Sequence, residues 1–285
     1  MTQIFFDGLT FDDTARTGFT VGSWAGWWDA PPVKTGLSER SVGDGAFAVS
    51  RVDRAARPIT VNGSYVGTDM QDTYTALRRI AALQANGVPS TFRVVEPFSD
   101  LQCVVTLVGA PTLPQKLFSP YFTYSFNVVA ADPYLYGPTQ TITAGAPASG
   151  GGLLFPLGST STAYWDFGAD GTSGRVSVTN TGTADMYPVL SVTGGSTGGF
   201  VVTDVTSGVV VPFSRLIPAG SVVSVNQRTG RAWIDDPAND VSGFLVSPDS
   251  VIVIGPGETH LIQYAPVGVV SGTPSMTISF SPPNL

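Results

Sequence analysis

The chain has 285 residues, enough for two ordinary domains, and charged residues make up 12% of it, about half the usual share of about 25%. Its net charge of −7 at pH 7 argues against a nucleic-acid-binding protein, because such proteins need clustered Lys and Arg side chains. The single cysteine, Cys103, excludes an internal disulfide and a cysteine-rich metal site.

The composition, poor in charge and rich in hydroxyl and apolar side chains, is typical of extracellular β-proteins. The opening residues nevertheless lack the basic and apolar segments of a secretory signal. No run of about 18 apolar residues predicts a membrane span. We therefore expect a protein that acts outside a cell without using the usual export route and without inserting into a membrane.

The first part of the chain predicts short strands around irregular segments. Asp7-Gly8 lies between apolar runs and predicts a hairpin turn. An aromatic, proline-containing stretch at 22–32 and a polar stretch at 34–45 predict loops. Strands are expected at 46–49 and 58–66, and Asn62-Gly63 within the second indicates either a turn or a bulge.

One helix is predicted after these strands. Thr68 or Asp69 can cap its N-terminus, and Gly87 can end it at the C′ position. Apolar and long side chains follow at helical spacing: Met70, Tyr74, Leu77, Ile80, Ala81 and Gln84. We therefore expect this helix to pack one face on the core.

Strands resume at 91–95, 101–108 and 121–130, the last with clear alternation of apolar and polar residues. Asp132, Pro133 and Tyr134 follow at the exit of this region. The stretch 138–152 is small, uncharged and rich in Gly, Ala and Pro, which predicts a linker.

Beyond the linker no helical period is found, and short strands recur every 8–12 residues, which predicts an all-β sandwich. The predicted strands are 175–179, 188–193, 200–205, 209–213, 222–225, 232–234, 250–254, 260–264 and 275–280. The expected protein is thus mainly β, with a domain at 1–140 that carries the helix and a β-sandwich domain at 141–285.

Few residues suggest catalysis. Gly194, Ser196 and Gly198 match a nucleophile-elbow pattern, but the pattern needs a strand–turn–helix context and a histidine partner. A flexible turn is the favoured interpretation. His260, the single histidine, is expected to be a partly buried sheet residue rather than a general base.

Two groups of carboxylates leave alternatives open. Asp235, Asp236 and Asp240, or Asp166 with Asp170, could bind calcium or act as a glycosidase pair. Both groups lie in turn-like segments, where Asp is common because it bonds its own backbone. Cys103 is expected to be a buried, inert thiol. We predict no enzyme activity, no cofactor and no metal site.

Two further features suggest contacts between subunits. Trp24, Trp27 and Trp28 lie within five residues of each other in a loop-like stretch. Tryptophan contributes strongly to the binding energy of buried interfaces. Packing in the core of one subunit is the alternative, with a sugar-stacking platform as a third. Arg51, Arg54 and Arg57 follow a long polar segment and indicate either an extended arm that contacts a neighbour or a solvated loop.

With these elements in order, the chain resembles the distal tail proteins, also called minor tail proteins, of long-tailed phages of Gram-positive and actinobacterial hosts. In the first part the resemblance rests on the opening hairpin, the Trp-Trp-Asp-x-Pro-Pro stretch ending at Pro32, the strand from Arg57 to Gly63, the single helix, and Asp132-Pro133-Tyr134. In the second part it rests on the segments 178–182, 187–190, 228–231 and 255–257.

The resemblance implies a tail-tube-like first domain, a β-sandwich or barrel that forms a ring, usually a hexamer, between tail tube and tip or baseplate. It implies a galectin-like or carbohydrate-module-like second domain, and it places Trp24, Trp27, Trp28, Arg51, Arg54 and Arg57 at inter-subunit extensions. Expected partners are the tail tube protein, the tape measure and the hub or receptor-binding proteins, with DNA only as passing cargo. Host-glycan binding by the second domain is the alternative function, and Trp165 or Trp233 on an exposed face would support it.

Overall fold

Within the described residues, 2–12, 17–34, 39–47, 52–114, 119–148 and 173–285, a computed structural model of the protein has 18 β-strands, one α-helix and one 3-10 helix. Strands make up 48% and helices 6% of the structure, so the predicted mainly β fold is confirmed. The chain divides into two compact units, Met1–Pro138 with Asn284–Leu285, and Thr139–Pro283.

The elements of the first unit are β1 (Gln3–Phe6), β2 (Leu9–Asp12), β3 (Gly18–Ala25), β4 (Arg57–Val66), α1 (Met70–Ala81), β5 (Ser90–Glu96), β6 (Ser99–Leu107), β7 (Tyr121–Ala130) and β8 (Leu135–Tyr136). Those that follow are β9 (Gln140–Gly145), β10 (Arg175–Thr179), β11 (Val189–Thr193), β12 (Phe200–Asp204), β13 (Val210–Phe213), β14 (Val222–Asn226), β15 (Arg231–Ile234), a 3-10 helix (Ser242–Phe244), β16 (Thr259–Pro266), β17 (Ser275–Phe280) and β18 (Pro283–Asn284).

Seven strands of the first unit close into a barrel in the order β1-β2-β3-β4-β7-β6-β5, with β5 returning to β1. The predicted hairpin at Asp7-Gly8 is present, and both residues have positive φ. Alternate side chains of β7 point into a core of aromatic rings, in which Phe6 and Phe126 stack with centroids 5.6 Å apart. The alternation in the sequence therefore specified the buried face of β7.

Asn62-Gly63 is neither a turn nor a bulge, because β4 pairs with β7 continuously from Arg57 to Val66. The irregularity lies on the partner strand β3, between Val21 and Ser23. Glycine at position 63 instead allows the Tyr124 side chain to pack closely against the backbone of β4. A Cβ there would lie 2.3 Å from the hydroxyl oxygen of Tyr124, and this hydroxyl donates a hydrogen bond to the Thr20 carbonyl at 2.9 Å.

The helix begins as predicted, since the Asp69 carboxylate accepts a hydrogen bond from the Asp72 amide. Its predicted end is wrong, because the helix stops at Ala81 and Gly87 closes a later turn. The buried positions are Thr73, Ala76 and Ile80, while Met70 and Tyr74 are exposed.

Gln84 lies beyond the helix and extends the barrel's hydrogen bonding. Its side-chain amide donates to the Val105 carbonyl at 2.9 Å and accepts from the Leu107 amide at 2.6 Å. The pairing of β5 with β6 ends at Ser90 and Val105, so the amide of Gln84 continues the ladder past the end of β5. Gln84 therefore belongs to the hydrogen bonding of the barrel and not to the face of the helix that packs on the core.

The second unit is built from two antiparallel sheets, β10-β16-β12-β13 and β15-β14-β11-β17-β9, around one apolar core. The predicted all-β sandwich is confirmed. Part of the predicted linker 138–152 is strand β9, which pairs with β17 along its whole length. The predicted strand at 250–254 reduces to a single bridge between Met186 and Ile254.

The Gly-rich segment 194–199 is a packed strand-like piece rather than a flexible turn. Ser196 is buried and bridges both Ile217 and Val270. A Cβ at Gly195 would lie 2.0 Å from the Ser271 carbonyl oxygen, and one at Gly199 would lie 2.0 Å from that of Phe213. Glycine is thus required here for close backbone approach.

Candidate interaction site

The arm, as we call residues 26–34, 39–47 and 52–55, lies in the chain between β3 and β4, and isolated bridges rather than strands pair its two sides. Near its base Lys34 N bonds Asp53 O at 2.8 Å and Ala55 N bonds Pro32 O at 2.7 Å. Farther out, Glu39 and Ala46 form a bridge. The described parts of the stretch predicted as a loop contain no strand, and isolated antiparallel bridges pair them.

The arm exposes apolar side chains. Val42 is 88% exposed and Phe47 is 60% exposed, with the Arg40 guanidinium 5.9 Å from the centroid of the Phe47 ring. The exposed apolar residues of the arm are Trp28, Val33, Val42, Phe47 and Val52. Exposed apolar residues gathered on one segment are typical of a surface that is covered in an assembly.

The three clustered tryptophans have different environments. Trp27 is 1% exposed, and its ring lies 5.6 Å from that of Phe92 in the barrel core. Trp24 is partly buried against the same core, whereas Trp28 is exposed. Core packing, one of the alternatives that the sequence left open, thus applies to Trp27, and Trp28 remains available to a partner.

Arg57 fixes the base of the arm. Its side chain is 1% exposed, and Nη1 donates to the carbonyls of Gly26 (3.0 Å), Trp27 (2.7 Å) and Asp29 (2.7 Å). Nε donates to the carbonyl of Pro133 at 2.9 Å. Burial lowers the pKa of Arg57, while Cys103 and Asp29 nearby act in the opposite direction. Its side chain therefore cannot contact another subunit in this conformation, and it orients the arm instead.

The exit motif is part of the same arrangement. Pro133 accepts the bond from Arg57, and the Asp132 carboxylate accepts one from the Tyr136 hydroxyl at 2.7 Å. Three segments far apart in sequence, containing Trp27, Arg57 and Pro133, thus meet at one place. The sequence pointed to each segment, but nothing in it indicated that one guanidinium would join them.

The other predicted arginines are placed differently. Arg54 is partly buried, bridges Val33, and its Nη1 lies 3.4 Å from the Pro31 carbonyl oxygen. Arg51 lies outside the described residues. Tyr134, the last residue of the exit motif, is partly buried.

In the second unit, a buried polar cluster joins Asp204 to His260. Asp204 is fully buried, and its Oδ2 lies 2.6 Å from His260 Nδ1. The carboxylate also accepts bonds from the Ser207 hydroxyl and the Thr206 amide. His260 Nε2 lies 3.2 Å from a carboxylate oxygen of Glu258. Both ring nitrogens are engaged by carboxylates, and none of these contacts involves Ser196.

These contacts set the protonation of the pair. Burial opposes the charge of Asp204, but the hydrogen bonds from Ser207 and His260 outweigh it and hold its pKa below the usual value. Burial also opposes the charge of His260, yet the bonds to Asp204 and Glu258 raise its pKa. The cluster ties β16 to the β12–β13 turn, and both shifts favour the charged forms of its two members.

The remaining candidate residues occupy structural positions. Asp235, Asp236 and Asp240 accept bonds from the amides of nearby turns, and Asp166 and Asp170 lie outside the described residues. In the described ranges no group of three or more His, Cys, Asp or Glu is placed to hold a metal ion. Burial raises the pKa of Cys103 to about 12, which leaves its thiol protonated and unreactive. Trp233 is partly buried, and Trp165 is not among the described residues.

No helix in the part of the chain that the structure describes has the length and apolar character needed to cross a bilayer.

Comparison of the sequence with protein-family models and with curated proteins gives no match, whereas comparison of the structure does. The crystal structure of the Dit protein (gp 19.1) of phage SPP1, described as a hub of the adsorption apparatus in phages infecting Gram-positive bacteria, matches with a TM-score of 0.60. The identity is 17%, and the match covers 100% of each chain.

A chain of the phage P2 baseplate in its activated conformation with calcium matches with a TM-score of 0.52 at 10% identity, over 98% of both chains. A chain of the same baseplate with strontium matches with a TM-score of 0.50 at 9% identity, over 98% of this chain and 97% of that one. The resemblance to phage distal tail proteins is thus confirmed for the fold. This chain has, over its whole length, the fold of the SPP1 hub protein.

Proposed function

We propose that this chain is a structural protein of a phage tail tip and that it assembles through its first unit into a ring of six copies, by analogy of fold. The ring joins the tail tube to the tip or baseplate and serves as the hub on which other tail proteins assemble. The observation that carries the proposal is the arm, which exposes apolar side chains from a fixed base on a fold shared with phage hub proteins.

The arrangement at Arg57 supports this role. Exposed apolar residues on a loose loop would lose much conformational entropy on binding. Here the four hydrogen bonds of Arg57 hold the base of the arm in place before any partner arrives. A pre-oriented arm is suited to repeated, identical contacts between copies of one chain.

The proposed partners are further copies of the chain, the tail tube protein, the tape measure and the hub or receptor-binding proteins, and DNA passes through the ring as cargo. The proposed role is structural rather than catalytic, and it places the protein in the virion after synthesis in the host cytoplasm. Glycan binding by the second unit stays a prediction.

Size-exclusion chromatography with light scattering, followed by negative-stain microscopy, tests the proposal on the purified full chain. We expect a discrete ring whose mass is a small multiple of 29.7 kDa. The paired substitution Val42→Asp with Phe47→Asp should yield monomers, because it places charge on the exposed part of the arm. A wild-type chain that stays monomeric at every concentration would contradict the proposal.

A further inference from the structure

An asparagine that precedes a glycine can react with the backbone of its own chain, because glycine has no Cβ to obstruct the approach of its amide nitrogen to the asparagine side chain. The chain contains two such pairs, Asn62-Gly63 and Asn86-Gly87. Both asparagine side chains are exposed. The two pairs therefore differ not in their access to water but in how firmly the backbone around them is held.

The first pair is held on both sides. It lies within β4, which pairs with β3 along one edge and with β7 along the other. A Cβ at Gly63 would lie 2.2 Å from the Thr20 carbonyl oxygen, so little space surrounds this glycine. The Asn62 side chain could reach the Gly63 nitrogen only after the backbone at Asn62 rotates, and such a rotation would break two ladders.

The second pair lies in the turn between α1 and β5, outside both elements. Asn86, Gly87 and Val88 are all exposed, and no atom of the described residues lies within 4 Å of a Cβ built on Gly87. The Gly87 amide donates a hydrogen bond to the Gln84 carbonyl at 2.9 Å. Freeing the Gly87 nitrogen therefore breaks a bond of a surface turn instead of two ladders.

The Asn86 side chain is already directed towards the backbone that follows it. Its Oδ1 accepts a hydrogen bond from the Val88 amide at 3.0 Å, so the side-chain carbonyl is folded back beside the Gly87 peptide. An N–H donor on this oxygen stabilises the negative charge that develops there when a nucleophile adds to the carbonyl carbon. The turn thus both positions and polarises the reacting group.

We infer that Asn86 is a site of spontaneous deamidation in the folded chain, with water as the co-reactant. The Gly87 nitrogen loses its proton to a base in the solvent and forms a bond to Cγ of Asn86. The bond from Cγ to Nδ2 then breaks, and Nδ2 takes up a proton and leaves as ammonia, so that a succinimide ring remains. Water opens this ring at one carbonyl to give aspartate or at the other to give isoaspartate. The reaction is a property of a single copy of the chain and does not require the proposed ring.

The reaction alters the turn in two ways. In the succinimide the Gly87 nitrogen carries no hydrogen, so the Gln84 carbonyl loses its donor. In isoaspartate the main chain is longer by one CH₂ group. The Gln84 side chain donates to the Ser90 hydroxyl at 2.8 Å across the same turn, and a longer main chain changes this span. We therefore expect the modified chain to be less stable.

Peptide mapping of the purified full chain tests the site. One sample is kept folded in a mildly alkaline buffer below the unfolding transition, and a second is kept in urea. Trypsin then releases residues 80–93, whose one asparagine is Asn86, and residues 55–78, whose one asparagine is Asn62. Mass spectrometry of the folded sample should show conversion to acid at least about tenfold faster at Asn86 than at Asn62. In urea the two rates should be similar.

Asn86→Gln is the matched control, because it keeps an uncharged amide whose longer side chain closes a ring far more slowly. Residues 80–93 of this variant should gain no mass over the same period. Scanning fluorimetry compares each incubated sample with its own fresh sample. Incubation should lower the Tm of the wild-type chain and leave that of Asn86→Gln unchanged.

Equal rates at the two asparagines in the folded sample, or acid at Asn86 that forms only in urea, would overturn Asn86 as the site. A fall in Tm that Asn86→Gln does not prevent would overturn the expected effect on stability.

Discussion

The two units each bury a charged side chain, but in different surroundings, and Nη2 of Arg57 has no hydrogen-bond partner among the described residues. In the first unit Arg57 has no carboxylate among its hydrogen-bond partners in the described residues, and backbone carbonyls of two irregular segments accept its bonds. In the second unit Asp204 pairs with His260 and accepts bonds from one turn.

The difference follows from what each charge holds together. A guanidinium has five N–H donors and can gather carbonyls from segments that form no ladder, so Arg57 fixes the arm to the exit of the first unit. The Asp204–His260 pair joins elements that are already neighbours in one sheet. One buried charge thus orients a protruding segment, and the other reinforces regular structure.

The largest expected effect tests the first half of this contrast. Arg57→Met should lower the free energy of unfolding by about 3–5 kcal/mol, because four carbonyls lose a charged donor in a buried site. It should also weaken self-association. Urea denaturation and light scattering measure the two effects. Arg93→Met removes a partly exposed ion pair with Asp100 and a contact with the Phe5 ring and should cost about 1 kcal/mol; a cost equal to that of Arg57→Met would refute the special role of Arg57.

Asp204→Ala tests the second half. It leaves His260 and two turn amides without their acceptor, and we expect a loss of about 2–4 kcal/mol in the free energy of unfolding. Self-association should persist below the unfolding transition, because the arm and its base lie in the first unit. If Asp204→Ala dissociated the oligomer as fully as Arg57→Met, the proposed division of roles between the two charges would be wrong.

In the second unit, close backbone packing holds segments that lie outside the strands. Alanine substitutions at two glycines test this packing. Gly199 and Gly208 have φ values of +84° and +79°, so alanine is strained at both by about 1–2 kcal/mol. Only at Gly199 would the new Cβ meet a carbonyl oxygen, at 2.0 Å. Thermal unfolding should show Gly199→Ala to be about 2 kcal/mol more destabilising than Gly208→Ala, and equal losses would argue against tight packing there.

The smallest expected effect is a dependence on pH that arises from His260 and Asp204 in the second unit. The pKa of His260 is raised by folding, so its stabilisation is complete below its unfolded pKa of about 6.5 and is lost as the pH rises through the folded pKa. The pKa of Asp204 is lowered, so its contribution is complete above about pH 4 and is lost on acidification through the folded pKa. Scanning fluorimetry should therefore show a lower Tm at pH 8.5 than at pH 5.5, and His260→Gln should reduce this difference.

The sequence predicted the regular parts of the fold well, because the spacing of apolar residues and the preferences of turn-forming residues depend only on neighbouring positions. The alternation of apolar and polar residues predicted β7, Asp7-Gly8 predicted a hairpin, and Asp69 predicted the start of the helix. Pairing between strands that are far apart in the sequence was not predicted. The small, uncharged residues 140–145 indicated a linker, yet they become strand β9 because β17 lies beside them.

The candidate site was predicted only in its parts. Trp27, Arg57 and Pro133 were each singled out by composition or by resemblance, but a guanidinium that bonds carbonyls leaves no pattern in a sequence. Carbonyls belong to every residue type, so no partner residue identifies the contact.

The amide of Gln84 has a consequence for how the barrel moves. β7 pairs with β4 over ten residues but with β6 over only three, Val105 to Leu107, and these three include both residues that Gln84 bonds. The barrel is therefore closed along a short seam with help from one side chain outside the strands. Amide hydrogen exchange at Leu107 should report excursions of the segment around Gln84, so the barrel can open locally at this seam without unfolding as a whole.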